Sequence, residues 1–461
     1  MKNSLFTFVF LLVSITANAY DAKINGIYYN INPVERAAIV TKGEVNYQGD
    51  INLPSTITYN GNEYTVKEID GDAFRDCMNI QSLTIPYSVT KIADNAFWGC
   101  VSLRKLVLPD HMEKLPEGMC AFCSQLTDVH LPSHLRNITK AAFSQCTSLS
   151  SITLPEDLLE IESQAFLDCT SLASIVIPHH VGTLWEWAFK GCTNLVSVRL
   201  SDNITSVPKG CFDSCLKLSE ITLPNGIRYI GKEAFLNCES LTRLDIPNSV
   251  TEIDDKAFSG SGLTSFNIPS SVTRIGQYLY MGCGQLTSIL SWPFGSIPYC
   301  TFKDCTGLVD LEIPENVTHI GPFAFKGCSN IQTIIIPNNT MWIEQAAFEN
   351  CENVKDVYIY REKLPSIYGQ DRDRFNSIWG GYITNATLHV PASAIEVYRS
   401  TKPWSEFGSI VAIEGTGIEQ VSRDKSQVTS EEYYMLDGRK ISSKPTAKGV
   451  YIVNGKKVIL R

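Results

Sequence analysis

Fifteen cysteines and seven histidines are the side chains of this sequence with the most chemistry to offer. Cys77, Cys100, Cys123, Cys146, Cys169, Cys192, Cys215 and Cys238 stand 23 residues apart, and Ser261 holds the next place in the frame. Cys283, Cys305, Cys328 and Cys351 follow at steps of 22, 22, 23 and 23. Thiols this numerous suggest disulfides, but equivalent positions in stacked coils lie about 4.8 Å apart with parallel Cα–Cβ bonds. A bridge needs Cβ atoms at roughly 3.5–4.5 Å, so a column of buried free thiols is expected. Cys120, Cys211 and Cys300 fall at three different places before their marks and form no second column. Cys120-Ala121-Phe122-Cys123 spells C-x-x-C, but a zinc site wants a second such pair.

His111, His134 and His180 each lie eleven residues after a column cysteine, with Asp157 in the intervening coil. Imidazole and carboxylate in one column could hold a borderline metal; they read equally as solvated turn residues, and no metal or cofactor is assigned. A catalytic centre has less support. No G-x-S-x-G, H-E-x-x-H or phosphate-cradling glycine loop occurs, and these are the motifs that place a nucleophile, a zinc ion or a phosphate. Asp371 and Asp373 form a short D-x-D that reads as solvated. No enzymatic activity is expected.

The elements that position these residues are one unit written thirteen times. Phe74, Phe97, Phe143 and their equivalents precede the marks by three residues, Leu or Ile follows by three, and Pro follows by nine. Within a unit, Leu103-Arg104-Lys105-Leu106-Val107-Leu108 ends in the period-2 alternation of a half-buried strand, and Pro109 closes it. Later Val and Ile positions bring the chain back along the other wall of the coil, while Ala-Phe plugs the interior. A period of 20–29 residues means a solenoid, in which each coil covers its neighbour's apolar face. The expected fold is a β-rich solenoid of about 13 coils of ~23 residues, with an N-terminal β cap, a C-terminal cap and a small C-terminal β domain.

The Leu, Pro, Ile, Ala-Phe and Cys positions resemble the BspA-like leucine-rich repeats of bacterial cell-surface proteins, over roughly residues 70–360. The resemblance implies extracellular binding: adhesion to host matrix glycoproteins, or contact with other cells. The ends support export. Met1-Lys2-Asn3, an apolar core over residues 5–15 and Ala17-Asn18-Ala19 read as a signal peptide over residues 1–19, so the chain is expected to be secreted, to the cell surface, the outer-membrane exterior or the periplasm. Residues 20–69 read as the N-terminal cap, with strand-like runs around Asn60-Gly61; residues 361–413 read as irregular last coils and C-terminal cap, with Gln370 to Arg374 at the tip of an insertion. A linker over 414–432 precedes a β tail over 433–461, with a hairpin at Asn454-Gly455. Through Gly438-Arg439, Gly449-Val450-Tyr451 and Lys456-Lys457-Val458 the tail resembles a type IX secretion sorting domain, which implies passage across the outer membrane.

What remains for function is surface. With 39 Lys+Arg against 48 Asp+Glu, the chain carries a formal charge of −9, which disfavours nucleic acid as a partner. No transmembrane segment is expected in the mature chain. Positions five and seven after each mark should point out of the sheet. From them the candidate partner-binding residues are Lys105, Asp128, His130, Arg199, Glu220, Arg243, Asp245, Asp310, Glu312 and Tyr358. Trp185 and Trp187 are added because they flank the buried Ala188-Phe189; they serve either a partner contact or packing on the preceding coil. A protein or glycan partner on the sheet is the leading expectation, and a structural envelope spacer without a ligand is the alternative.

Overall fold

The computed structural model describes residues 20–289, 291–368, 378–413, 433–435, 440–441, 449–453 and 456–460. The expected signal peptide, Leu290, the Gln370–Arg374 tip, the 414–432 linker and the Asn454-Gly455 turn lie outside them. The chain divides into two units, Met1–Ile413 and Glu414–Arg461.

Each repeat begins where an L-x-x-L-x-L run meets its copy in the next coil. Leu103, Leu106 and Leu108 are buried, and the residues between them face out. Because the copies are in register, the runs pair as a parallel ladder: Lys105 sits opposite Asp128, and Ser197 opposite both Ser174 and Glu220. The ladder is regular over three stretches. They run from Gln48–Asn52 to Asp128–His130, from Ser174–Val176 to Glu220–Thr222, and from Asp310–Glu312 to Ser409–Ala412. The returning Val and Ile positions form a second parallel ladder of short strands, such as Glu160–Ile161 against Thr183–Leu184. The solenoid has about fifteen turns, more than the thirteen units. Gln48–Asn52 adds a rung before them, and Thr387–Val390 and Ser409–Ala412 add rungs after. Residues 20–69 feed both ladders: Gln48–Asn52 pairs with the first, and the hairpin Thr56–Tyr59/Asn62–Ile69 pairs with the second through Lys91–Ile92.

Between the ladders runs a column of rings. Phe143, Phe166, Phe189 and Phe212 stack at centroid spacings of 5.4–5.8 Å with interplanar angles of 13° or less. The column continues through Phe235, Phe258, Tyr280, Phe302, Phe325 and Phe348 to Trp379. Offset stacking of this kind adds to the area each ring buries. Trp379 takes the phenylalanine's place one turn beyond the last repeat.

Every described cysteine is a free, buried thiol. Eleven of the column thiols also donate a hydrogen bond, at 3.1–3.3 Å, to a main-chain carbonyl of the preceding coil, usually that of its phenylalanine. Cysteine is therefore more than a small apolar filler at this corner: each carbonyl already accepts the main-chain N–H of its own coil's mark, as Phe74 does from Cys77, and the weak S–H donor adds a second bond from the next coil. Burial pushes the Cys169 thiol up to about 12 and those of Cys192 and Cys215 well above the ordinary range, which leaves little nucleophilic thiolate.

The corner also has a fixed backbone. The residue before each of the thirteen marks has positive φ, from Asp76 at 59° to Asn350 at 62°. So does the residue five before each mark from Asn95 onward. None of these positions is β-branched, consistent with the steric cost of left-handed backbone for Val, Ile and Thr. Asp76 lies across the next coil at Gly99, where a Cβ would come within 2.5 Å of the Asp76 Oδ1. Asp or Asn in one coil and Gly in the next thus fit as a pair.

In the second unit, Lys440–Ile441, Tyr433–Met435, Gly449–Val453 and Lys456–Leu460 form, in that order, a four-stranded antiparallel sheet.

Tyr280 stands in the ring column with its hydroxyl buried and without a hydrogen-bond partner among the described residues. An unsatisfied buried hydroxyl costs about 1–3 kcal/mol, so Tyr280→Phe should raise the thermal midpoint of the solenoid. A lowered midpoint would mean that the hydroxyl has a partner.

Candidate binding face

The outer side chains of the first ladder make the largest repeated surface on the chain. On the described rungs, positions five and seven after the mark are exposed or half-buried while the residue between them is turned inward, except after Ser261, where the phase shifts by one and Ser265 and Asn267 face out between the buried Phe266 and Ile268. That alternation is the pleat itself. Lys105 reaches Asp128 on the next rung at 2.9 Å, with both side chains in solvent, and His130 lies exposed two residues on. Arg243 forks onto Asp245, two residues on in the same coil, at 2.9–3.2 Å. Both ion pairs are exposed, so each adds well under about 1 kcal/mol to folding; their effect is to define where charge stands on the face.

Four of the sequence-predicted residues come together. Arg199, Glu220, Arg243 and Asp245 line one shallow concavity across four successive coils, with Ser174, Val176 and Asp202 on its wall. Asp128 and His130 line a second trough with Ser151 and Thr153. Asp310 and Glu312 stand exposed further along. Near the C-terminal end Tyr358 stacks on His389 at 4.2 Å and 10°, and His389 Nε2 meets Asp356 Oδ1 at 2.8 Å. Burial, then Asp356, raises the Tyr358 phenol above its ordinary range. The sequence reading missed His389, because it sits on a rung beyond the last repeat, where the cysteine frame no longer marks position. It also passed over Val176, which is 58% exposed, and Asp202.

Trp185 and Trp187 do not join this face. Trp185 follows the second-ladder strand Thr183–Leu184 and is 47% exposed. Trp187 is half-buried at one of the left-handed corners, φ 59°. Its ring packs on the following coil, not the preceding one: Lys209 Nζ lies 4.6 Å from the ring centroid, and the glycine at 210 leaves room for the indole edge.

The histidine column divides. His134 Nδ1 bonds Asp157 Oδ2 at 2.7 Å, His180 Nδ1 donates to the Glu156 carbonyl at 2.9 Å, and His111 packs edge-on against Tyr87 at 4.6 Å. Two of the three thus use a ring nitrogen, on different partners, while both ring nitrogens of His111 are without a hydrogen-bond partner among the described residues. Among the described residues no group of three or more His, Cys, Asp or Glu is placed to hold a metal ion.

Residues 50–173, 159–287 and 276–370 match the BspA type leucine rich repeat region. The chain belongs to this family of leucine-rich repeat solenoids. A leucine-rich repeat protein from Bacteroides ovatus is 25% identical, with a TM-score of 0.64 over 86% of this chain and 100% of that one. A leucine rich cell surface protein from Faecalibacterium prausnitzii is 26% identical over 78% of this chain and 97% of that one, with a TM-score of 0.49. No curated protein matches.

The Asp157 carboxylate holds the His134 imidazole above the usual histidine range, and His134 in turn lowers Asp157. For a histidine whose folded pKa is raised, the coupling is fully present below the unfolded value and is lost as pH rises through the folded one. NMR titration should therefore find His134 above the ordinary histidine value, and Asp157→Asn should return it toward that value. An unchanged titration in that variant would show that the pair does not persist in solution.

Proposed function

We propose that this chain is an exported, surface-displayed interaction protein, not an enzyme, which binds a macromolecular partner through the outer face of its first ladder. The observation that carries the reading is the face itself: in-register rungs, paired over three stretches, along which charge is concentrated at Arg199, Glu220, Arg243 and Asp245 and at Asp310 and Glu312. Membership in the BspA type supports a role in protein or glycan contact, although kinship of fold is weaker evidence for any one ligand than a site is. Among the described residues no helix is long and apolar enough to cross a membrane.

In this reading residues 1–19 direct export, residues 20–69 and 361–413 cover the two ends of the repeat core, and residues 414–432 lead to a tail over 433–461 that serves as a sorting signal. The tail's antiparallel sheet is compatible with that role, and its resemblance to type IX secretion domains supports it.

An array of matrix proteins and glycans probed with the secreted chain should return a reproducible ligand. Replacing Asp310 and Glu312 by Ala, or Glu220 by Lys, should weaken that binding at least several-fold, while Glu160→Ala and Glu252→Ala on the second ladder should not. Surface proteolysis of intact cells should cleave the native protein. An empty array with the protein exposed on cells would favour the envelope spacer instead.

A further inference from the structure

We propose that the concavity around Arg199 binds a uronic-acid-containing polysaccharide, with a sugar carboxylate seated on the Arg199 guanidinium. The inference rests on the reading that the first-ladder face is the binding surface, and it names the ligand class.

Register decides what stands beside Arg199. Val176 is its partner on one rung and Thr222 on the other. Glu220 pairs with Ser197, one pleat away. No carboxylate therefore stands directly next to the guanidinium, and among the described residues Arg199 forms no ion pair, whereas Arg243 is already held by Asp245. An exposed guanidinium with its fork unoccupied matches the planar, two-oxygen geometry of a carboxylate. The surrounding groups set the rest of the ligand. Ser174, Ser197 and Thr222 offer hydroxyls, and the carboxylates of Asp202, Glu220 and Asp245, the last already paired with Arg243, offer acceptors, which together suit the hydroxyls of a sugar ring.

Two alternatives fit less well. A protein interface needs buried aromatic or large aliphatic anchors near its centre; no aromatic side chain lines this concavity, Ile175, Val198 and Leu200 belong to the core beneath it, and the one exposed aliphatic residue is the small Val176. A terminal acidic sugar would be gripped best by a closed pocket. This one lies open along the ladder, and the same face carries a second polar trough at Asp128, His130 and Thr153. An open, polar channel crossing the rungs suits a chain that continues past the site at both ends.

The test uses the full chain against four immobilised probes: an oligogalacturonate, the same oligosaccharide with its carboxyls reduced, 3′-sialyllactose and poly-glutamate. The oligogalacturonate should bind and its reduced form should bind at least about tenfold more weakly, the worth of one charge-assisted hydrogen-bonded pair. Arg199→Ala should abolish that difference, and Arg199→Lys should retain only part of it because the fork is lost. Lys140→Ala, an exposed cation away from the face, controls for general charge and should leave binding unchanged. Equal binding of acidic and reduced probes, preference for poly-glutamate or sialyllactose, or indifference to Arg199→Ala would each overturn the assignment. If the array ligand of the wider reading still depends on Asp310 and Glu312, only the acidic-sugar assignment has failed. If nothing binds through this face, both have.

Discussion

The structure depends on closing each coil's corner against the one before it without leaving buried backbone groups unpaired. The tight turn around each mark places carbonyls in the interior, out of reach of water, where an orphaned acceptor is costly. Main-chain bonds do most of this: the Phe97 N–H donates to the Met119 carbonyl and the Gly99 N–H to that of Ala121 on the next coil, while the Cys100 N–H closes the turn on Phe97. The column thiol adds to them, donating to a carbonyl of the preceding coil at 3.1–3.3 Å in eleven places. Left-handed residues on either side of the Ala-Phe plug turn the chain sharply enough to set the ring on its neighbour. Alanine at that point would lose the thiol's bond, while the carbonyl would keep the main-chain N–H of its own coil as partner.

From this closure follows the regularity of the outer face. Because the corner repeats, the rungs of the first ladder present the same two positions to solvent, shifted by one only after Ser261, and those positions can change without disturbing the core. Charge, hydroxyl and aromatic residues are thereby free to vary from rung to rung, from Lys105 and Asp128 through Arg199 and Glu220 to Tyr358. The concavity at Arg199 and the stacked Tyr358–His389 pair are two outcomes of one scaffold. Solenoids gain extended binding surfaces in this way, as sums of near-identical units.

Much of this was legible in the residues. The Cys, Phe, Leu and Pro positions recur with so little variation that the solenoid, the free thiols and the outward alternation all follow from spacing. What could not be read has particular causes. The left-handed corners are filled by Asp, Gly, Phe, Gln, Ser and Asn in turn, so the shared backbone leaves no single-residue signature. The last rungs, Thr387–Val390 and Ser409–Ala412, lie past the final cysteine, and His389 was hidden with them. Trp187 looked displaced because its position in the coil was known but not that its ring leans forward onto Lys209. The histidine column kept its register, yet spacing does not fix where a turn side chain reaches: His134 meets Asp157, His180 a main-chain carbonyl, and His111 only the ring of Tyr87.

The central claim is that the thiol column is reduced, buried and bonded to backbone. It is tested most directly by counting reactive thiols in the purified chain without any reductant, first folded and then in denaturant. The account predicts almost no reaction in the folded protein and fifteen equivalents, one per cysteine, once it unfolds. A shortfall after unfolding would reveal disulfides in the column, and rapid labelling of the folded chain would show that the corners are open to solvent; either result would contradict it.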